Sequence, residues 1–320
     1  MRAPDFWLKG GPASVALAPL GWAWAAGSAL RGLLSRPFVA PLPIICIGNL
    51  VAGGAGKTPV ALSLADRLPG VHFLSTGYGG REHGPLRVDP RRHGAGRVGD
   101  EPLLLSSVAP CWVARDRVAG AAAAARHGAA CLIMDDGFQD PSLAKDVALL
   151  VVDGHTGFGS GRCIPAGPLR EPIARGLARA TAVVILGEDR RQVAARVGPL
   201  PILRASLEPE AEAAALAGQR VVAFAGIGRP AKFFNALRRL GAELVEEIAF
   251  PDHHPYQLAE IGELMDLAET HGAALVTTSK DIVRVPAHLR DSVAVLRITV
   301  TWEDEDALLD HLAEHGVPIR

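Results

Sequence analysis

Residues 44–68 read IICIGNLVAGGAGKTPVALSLADRL: an apolar run, a turn with glycines at 53, 54 and 56, then Lys57-Thr58 and an apolar-periodic segment. That order is strand, phosphate-binding loop, helix. Glycines let backbone N–H groups approach phosphate oxygens, a lysine in that place reaches the outer phosphates, and the Thr58 hydroxyl can ligate magnesium. Val51, Ala52, Gly53, Gly54, Ala55, Gly56, Lys57 and Thr58 are therefore the candidate nucleotide-phosphate site. The strict spacing wants a glycine where this chain has Val51, so Gly53 and Gly54 must supply the tight turns.

Outward from this stretch, composition sets the frame. The 320 residues are 49% hydrophobic and 21% charged, with 35 Gly and 24 Pro, as expected of a globular chain well punctuated by turns. Lys plus Arg (33) balances Asp plus Glu (34), which argues against nucleic acid as a partner. Cys46, Cys111, Cys131 and Cys163 never form a C-x-x-C pair, so neither a zinc site nor a disulfide framework is expected.

After the phosphate loop, apolar runs at 71–74, 111–114 and 131–134 alternate with helical patterns, including the alanine-rich 117–127. Strand-helix alternation predicts a doubly wound, mostly parallel sheet with ligands at the carboxyl ends of its strands. The 131–134 run ends in Asp135-Asp136, and an acid at that place sets a carboxylate near magnesium. Asp153, after the run 148–152, is the rival. Asp100 and Glu101 open a helical pattern, where acids either favour the helix dipole or serve as a proton acceptor and metal support. The glycine-flanked Tyr78 and Arg81, and the long loop 154–171 with Arg162 and Arg170, suit a phosphorylated sugar or are ordinary solvated turns.

A second, smaller α/β set is expected from about 216, with strands at 221–225, 243–248, 274–277 and 292–298. Its least ordinary piece is 250–256, FPDHHPY, where His253 and His254 form a proton relay with a carboxylate or simply lie on the surface. Residues 277–281, TTSKD, lack the spacing of a guanine reader. At the other end, residues 10–30 carry no charge, contain Trp22 and Trp24, and are flanked by Lys9 and Arg31. Their modest hydrophobicity predicts a helix lying in a membrane interface over residues 10–35 rather than a span, with a helix buried against the domain as the alternative.

Taken in order, GNLVAGGAGKTP, STGYGGR, GDEP, DDGFQDP, GRCIPAGPLREP, FAGIGRP, FPDHHPY and TSKD resemble the tetraacyldisaccharide 4′-kinase family, whose phosphate loop likewise lacks the first glycine. The resemblance implies a P-loop NTPase-like kinase domain at 41–215, a smaller α/β domain at 216–320 and an apolar, membrane-associating helix within 1–40. It implies transfer of the γ-phosphate of ATP, with Mg2+, to the 4′-hydroxyl of a lipid disaccharide 1-phosphate at the cytoplasmic face of a bacterial inner membrane, and no obligate protein partner. Carried over residue by residue, Asp100 is the base, paired with His253. Thr58, Glu101, Asp135, Asp136 and Glu171 hold or support the metal, and Tyr78, Arg81, Gln139 and Arg170 face the disaccharide. Asp140 stands where the family is expected to have histidine. The competing expectation is a membrane-associated P-loop ATPase that acts as a switch with no small-molecule acceptor.

Overall fold

The computed structural model describes residues 4–319. Eight strands come first: β1 (Ile44–Gly48), β2 (Val71–Ser75), β3 (Leu86–Arg87), β4 (Cys111–Val113), β5 (Cys131–Asp135), β6 (Val147–Asp153), β7 (Ala182–Leu186) and β8 (Ile202–Pro209). Four more follow, β9 (Arg220–Ala225), β10 (Glu243–Ala249), β11 (Ala274–Thr278) and β12 (Ala294–Leu296), and then β13 (Ile298–Trp302). The larger sheet has the order β13-β8-β7-β6-β1-β5-β2-β4-β3, parallel except at its two edges, where β13 and β3 run antiparallel to their neighbours. The smaller sheet, β10-β9-β11-β12, is parallel throughout.

The central strands are apolar without interruption because both faces are covered. Alternate residues of β1 divide between two cores. Ile45 and Ile47 pack with Val60 and Leu64 of the helix Lys57–Ala65. Ile44 and Cys46 join Ala121 and Ala124 of the helix Arg117–Arg126, together with Phe158 and Leu169 from the long loop. The smaller sheet is covered by the helix Pro230–Arg239 through Phe233, Phe234 and Leu237, and by the helix Leu258–Thr270 through Ile261 and Leu264.

Two expectations about organisation change. The single strand expected at 292–298 in the smaller unit is two strands in two sheets, Ala294–Leu296 and Ile298–Trp302, separated by Arg297 alone. From Ile298 the chain returns to the larger sheet, and Trp302 donates its indole N–H to Ser63 Oγ at 2.9 Å on the phosphate-loop helix. Residues 298–319 therefore belong with the larger sheet rather than with 216–297. At the other end, the expected single helix is three: Asp5–Lys9, Pro12–Ala16 and Ala18–Leu34. Gly10 and Gly11, both at positive φ, make the first break.

The longest of these helices meets the rest of the chain at two of its glycines. Gly21 lies against the Cys163 carbonyl and Gly32 against Arg175, where a side chain would collide. Trp22, Leu33 and Leu34 are 72%, 82% and 76% exposed. No helix among the described residues is long and apolar enough to cross a membrane.

Candidate active site

The carboxyl ends of β1, β2 and β5 and the loops of the smaller sheet converge on one place. After β1 the backbone stays in ordinary conformations through Val51, which pairs with Leu169 as an isolated antiparallel bridge. The Ala52 N–H then donates to the Pro168 carbonyl at 2.8 Å. A glycine is unnecessary at 51 because the chain there is an extended partner of the long loop, and the turn begins later. Gly53 has φ 120° and Gly56 has φ 86°, and a side chain at 56 would also strike Leu186. Only glycine tolerates this backbone cheaply.

Lys57 and Thr58 open the helix that follows. The Lys57 ammonium donates to Asn49 Oδ1 at 3.2 Å and lies 3.4 Å from Asp136 Oδ1. Thr58 donates its hydroxyl to Asp135 Oδ2 at 3.4 Å. The second Asp135 oxygen, Oδ1, is buried with no hydrogen-bond partner among the described residues. Burial first, and then the nearby Glu101 charge, push the Asp135 carboxyl up to about 7 against the pull of Lys57. A buried carboxylate with one oxygen unused, beside a threonine hydroxyl, suits a hard cation such as Mg2+, which takes one or two carboxylates and fills its shell with phosphate and water. No group of three or more His, Cys, Asp or Glu among the described residues forms a complete metal cage, so phosphates would have to supply the remainder.

The other acids expected at the metal are held by cations. Asp136, in the left-handed conformation at φ 55°, accepts from Arg170 at 3.0 and 3.2 Å and pairs with Lys57. Burial would raise its carboxyl, but Lys57 and Arg170 outweigh that and hold it below the usual range. Glu171 is buried between Arg179, at 2.6 and 2.8 Å, and Gln139, at 3.1 Å. Glu101 meets Lys280 at 2.6 Å. Thr58 and Asp135 therefore remain the pair most open to a cation, because a carboxylate already engaged by guanidinium or ammonium, Glu101 included, has less charge to offer. Asp153, the rival strand-end acid, accepts from the N–H groups of His155 and Thr156, receives Lys232 at 2.6 Å and has Arg229 at 3.5 Å; it lines a cavity with Val51–Ala55 of the phosphate loop, but its cations are those of the smaller unit rather than Lys57.

Asp100 is the buried first residue of the helix Asp100–Leu105, and the imidazole of His253 donates from Nδ1 to its Oδ2 at 2.8 Å. Burial opposes ionisation of Asp100, yet His253, Lys280 and Arg284 together hold it below the usual carboxylate range. The hydrogen bond to Asp100 raises His253 above the ordinary imidazole value of 6.5, burial opposing. His253 sits at φ 59°, a strained conformation outside glycine, while His254 turns away to Glu260 at 3.0 Å and stacks on Phe250. The two neighbouring histidines thus have different partners, Asp100 for His253, the one the resemblance favoured, and Glu260 for His254.

Of the four expected sugar-facing residues, Tyr78 is exposed and meets the His253 ring edge-on at 5.7 Å, and Arg81 is exposed on the same turn. Arg170 faces Asp136, as described. Gln139 is turned inward, its amide N–H groups donating to the Asn49 carbonyl at 2.9 Å and to Glu171, so its place is between the phosphate loop and the long loop. Asp140 accepts from the Ser142 N–H at 2.8 Å and lies 3.9 Å from the buried Arg117.

Sequence reasoning passed over three residues. Asn49 is buried, holds Lys57, and donates from Nδ2 to the Val51 carbonyl at 2.6 Å; a polar residue directly after a buried strand was its signal. Arg284, 4% exposed, donates to Asp281, to the carbonyls of Gly226 and His254, and lies 3.7 Å from Asp100. Asp281 also accepts from Gly226 N–H, Tyr256 and Thr278, so it ties three loops of the smaller sheet together. Asp281 closes the TSKD stretch without its neighbours revealing a role, and nothing in its local sequence marks Arg284.

A family model described as tetraacyldisaccharide-1-P 4′-kinase, LpxK, matches residues 13–316. A tetraacyldisaccharide 4′-kinase of Rhodospirillum centenum is 57% identical over 319 residues, covering 96% of this chain and 95% of that protein. One from Rhodospirillum rubrum is 53% identical, covering 99% of this chain and all (100%) of that protein. The crystal structure of an "apo" form LpxK from Aquifex aeolicus in complex with ATP superposes with a TM-score of 0.79 at 27% identity, over 94% of this chain and 99% of that one.

Proposed function

The chain belongs to the tetraacyldisaccharide-1-P 4′-kinase family, and from that premise we propose how its own residues carry out the transfer. The protein is an ATP-dependent kinase of lipid A biosynthesis, passing the γ-phosphate to the 4′-hydroxyl of a tetraacyl glucosamine disaccharide 1-phosphate. Phosphoryl transfer asks a protein for positioning, charge neutralisation and an oriented hydroxyl. The backbone from Val51 to Gly56 cradles the donor phosphates and Lys57 neutralises them. Thr58 and Asp135 are the residues to hold Mg2+, which would supply further positive charge to the phosphates when bound.

On the acceptor side, Asp100 and His253 act as one proton-accepting unit. As the 4′-oxygen forms its bond to the γ-phosphorus and the bond to the β-phosphate oxygen breaks to release ADP, the hydroxyl proton passes to this pair. Tyr78, Arg81 and Arg170 surround the approach and suit a sugar bearing a phosphate. The observation that carries this reading is the 2.8 Å contact of His253 with Asp100, because it joins the smaller sheet to the edge of the nucleotide site.

The acyl chains of such a substrate lie in lipid, and we place the N-terminal helices in the interface at the cytoplasmic face of the bacterial inner membrane. The exposed apolar face of Trp22, Leu30, Leu33 and Leu34 supports this, since each leucine moved from water into lipid contributes about 1.5–3 kcal/mol. The same helices touch the long loop: Trp24 donates to the Arg170 carbonyl at 2.8 Å and Ser14 to the Ala166 carbonyl at 2.6 Å. Lipid contact and sugar contact are thereby neighbours.

γ-labelled ATP, Mg2+ and the disaccharide 1-phosphate in mixed micelles test the reading, with Lys57→Ala as control. Label should appear on the lipid with wild-type protein and not with the variant. ATP hydrolysis indifferent to the lipid would instead indicate a switch ATPase.

A further inference from the structure

The segment 277–281, set aside above as no guanine reader, delivers a lysine to the acidic edge of the nucleotide site. The Lys280 ammonium lies 2.6 Å from Glu101 Oε1, across 179 positions of sequence. It is also within electrostatic reach of Asp100 and Asp135. Asp135 thus stands between two ammoniums, Lys57 from the larger sheet and Lys280 from the smaller.

Lys280 is not a loose surface lysine. It opens the short helix Ser279–Ile282, whose start is fixed by Thr278 accepting the Asp281 N–H at 3.1 Å. Asp281, the next residue, is fully buried and accepts from Gly226, Tyr256, Thr278 and Arg284. The stem of Lys280 therefore leaves a rigid base, the same base that Arg284 uses to hold the carbonyl of His254 beside His253. Glu101, in turn, follows Asp100 directly, and its backbone N–H donates to Asp100 Oδ1 at 3.0 Å. A pull on the Glu101 side chain is passed through one peptide to the carboxylate that His253 contacts.

We propose that Lys280 is a positioning residue for phosphoryl transfer: by gripping Glu101 from the smaller sheet it fixes the first turn of the helix Asp100–Leu105, so that Asp100 meets His253 in register. The proposal rests on the reading of Asp100 and His253 as the proton-accepting unit. Two contacts then cross between the sheets side by side, His253 to Asp100 and Lys280 to Glu101, and the second sets the geometry of the first. Misplacing a reacting group by about an ångström costs on the order of a hundredfold in rate, which bounds the effect of losing the grip.

The test is steady-state transfer by Lys280→Met, Lys280→Arg, Glu101→Gln and the Lys280→Met/Glu101→Gln pair, with Asp100→Asn measured beside them and a thermal melt confirming that each folds. Lys280→Met should lower kcat by about ten- to a hundredfold while leaving KM for ATP within about threefold, and Lys280→Arg should recover most of the loss. The double variant should be no slower than the slower single one, because both remove the same contact. An unchanged kcat in Lys280→Met, a loss expressed in KM for ATP alone, no recovery by arginine, or multiplying losses would each overturn the proposal. Full activity in Asp100→Asn would instead sink the underlying reading of the proton acceptor. Loss in Asp100→Asn with none in Lys280→Met sinks the positioning role alone. Should Lys280→Met fail to fold, Lys280→Arg and Glu101→Gln still decide: arginine must keep kcat within a few-fold, and Glu101→Gln must slow it.

Discussion

Lys57 finds its partner Asn49 eight positions away, within a single strand-loop-helix unit, whereas His253 finds Asp100 across 153 positions and between two sheets. The donor side of the site is therefore prepared by local chain geometry and would persist if the smaller sheet moved. The acceptor side exists only while the two sheets stay in contact. Each side carries its own strain, Asp136 at positive φ beside Lys57 and His253 at positive φ beside Asp100, so the difference lies in how far apart in the chain the partners are. The contrast separates a donor cradle built from one stretch of chain from a proton acceptor that needs both sheets, so damage between the sheets should fall on the acceptor side first.

The largest blow to the donor side is Lys57→Ala, expected to lower transfer by about a thousandfold, measured with labelled ATP, because a preorganised charge on the transferring phosphoryl group is lost. Next comes Asp135→Asn, expected to cost about a hundredfold at saturating ATP. In the wild-type protein the Asp135 carboxyl must ionise to hold a cation, and burial and Glu101 place it near 7. Mg2+ affinity should accordingly rise as pH increases through about 7, and that dependence should vanish in the asparagine variant when followed by titration calorimetry.

The membrane face should respond without touching either half. Replacing Trp22, Leu33 and Leu34 together by serine is expected to lower partition onto vesicles at least about tenfold in a sedimentation assay, while ATP binding stays unchanged. The smallest effect is assigned to Asp153→Asn. It weakens the contacts to Lys232 and Arg229, whose own side chains are exposed, and leaves an amide oxygen to accept from the His155 and Thr156 N–H groups, so turnover should shift by no more than about threefold. A loss comparable to that of Asp135→Asn would reverse the choice between the two strand-end acids.

The same contrast explains what could be read in the chain without coordinates. Gly53 to Thr58 and the strand before them are legible because every requirement, backbone freedom, charge and hydroxyl, falls within one short stretch. Asp135 and Asp153 look alike in sequence, since both end buried strands beside β1, and only their partners tell them apart: Thr58 for one, the His155 turn and Lys232 for the other. Lys280, although it stands in the quoted TSKD stretch, and Arg284 have roles that are not legible there for a different reason. Their meaning depends on Asp281 and on which sheet edge the smaller unit meets, and neither is encoded locally. The division at 216 failed at its far end because one alternating run, broken only by Arg297, serves two sheets, and alternation reports burial but not which sheet does the burying. The apolar character of the N-terminal stretch is plain in the sequence, and its placement in an interface is our proposal. Its breakage at Gly10-Gly11 was open to reading, but its seating on the long loop was not, because small residues at 21 and 32 acquire meaning only against Cys163 and Arg175.

The central claim, that an acid of one sheet and a histidine of the other act as a unit, meets its most direct test in a double-mutant cycle of Asp100→Asn and His253→Gln read across pH. Because the hydrogen bond to Asp100 holds His253 above 6.5, the pair accepts a proton only above that raised value, so the acid limb of kcat/KM in the wild-type protein should lie above 6.5. By the same shift the ion pair adds stability fully below 6.5 and loses it as pH rises through the raised value. Each single variant should lose about a hundredfold or more, and the double variant should be no worse than the worse single one, with the acid limb moved toward or below 6.5 in Asp100→Asn. Losses that multiply, or an acid limb that stays in place when Asp100 becomes asparagine, would contradict the account.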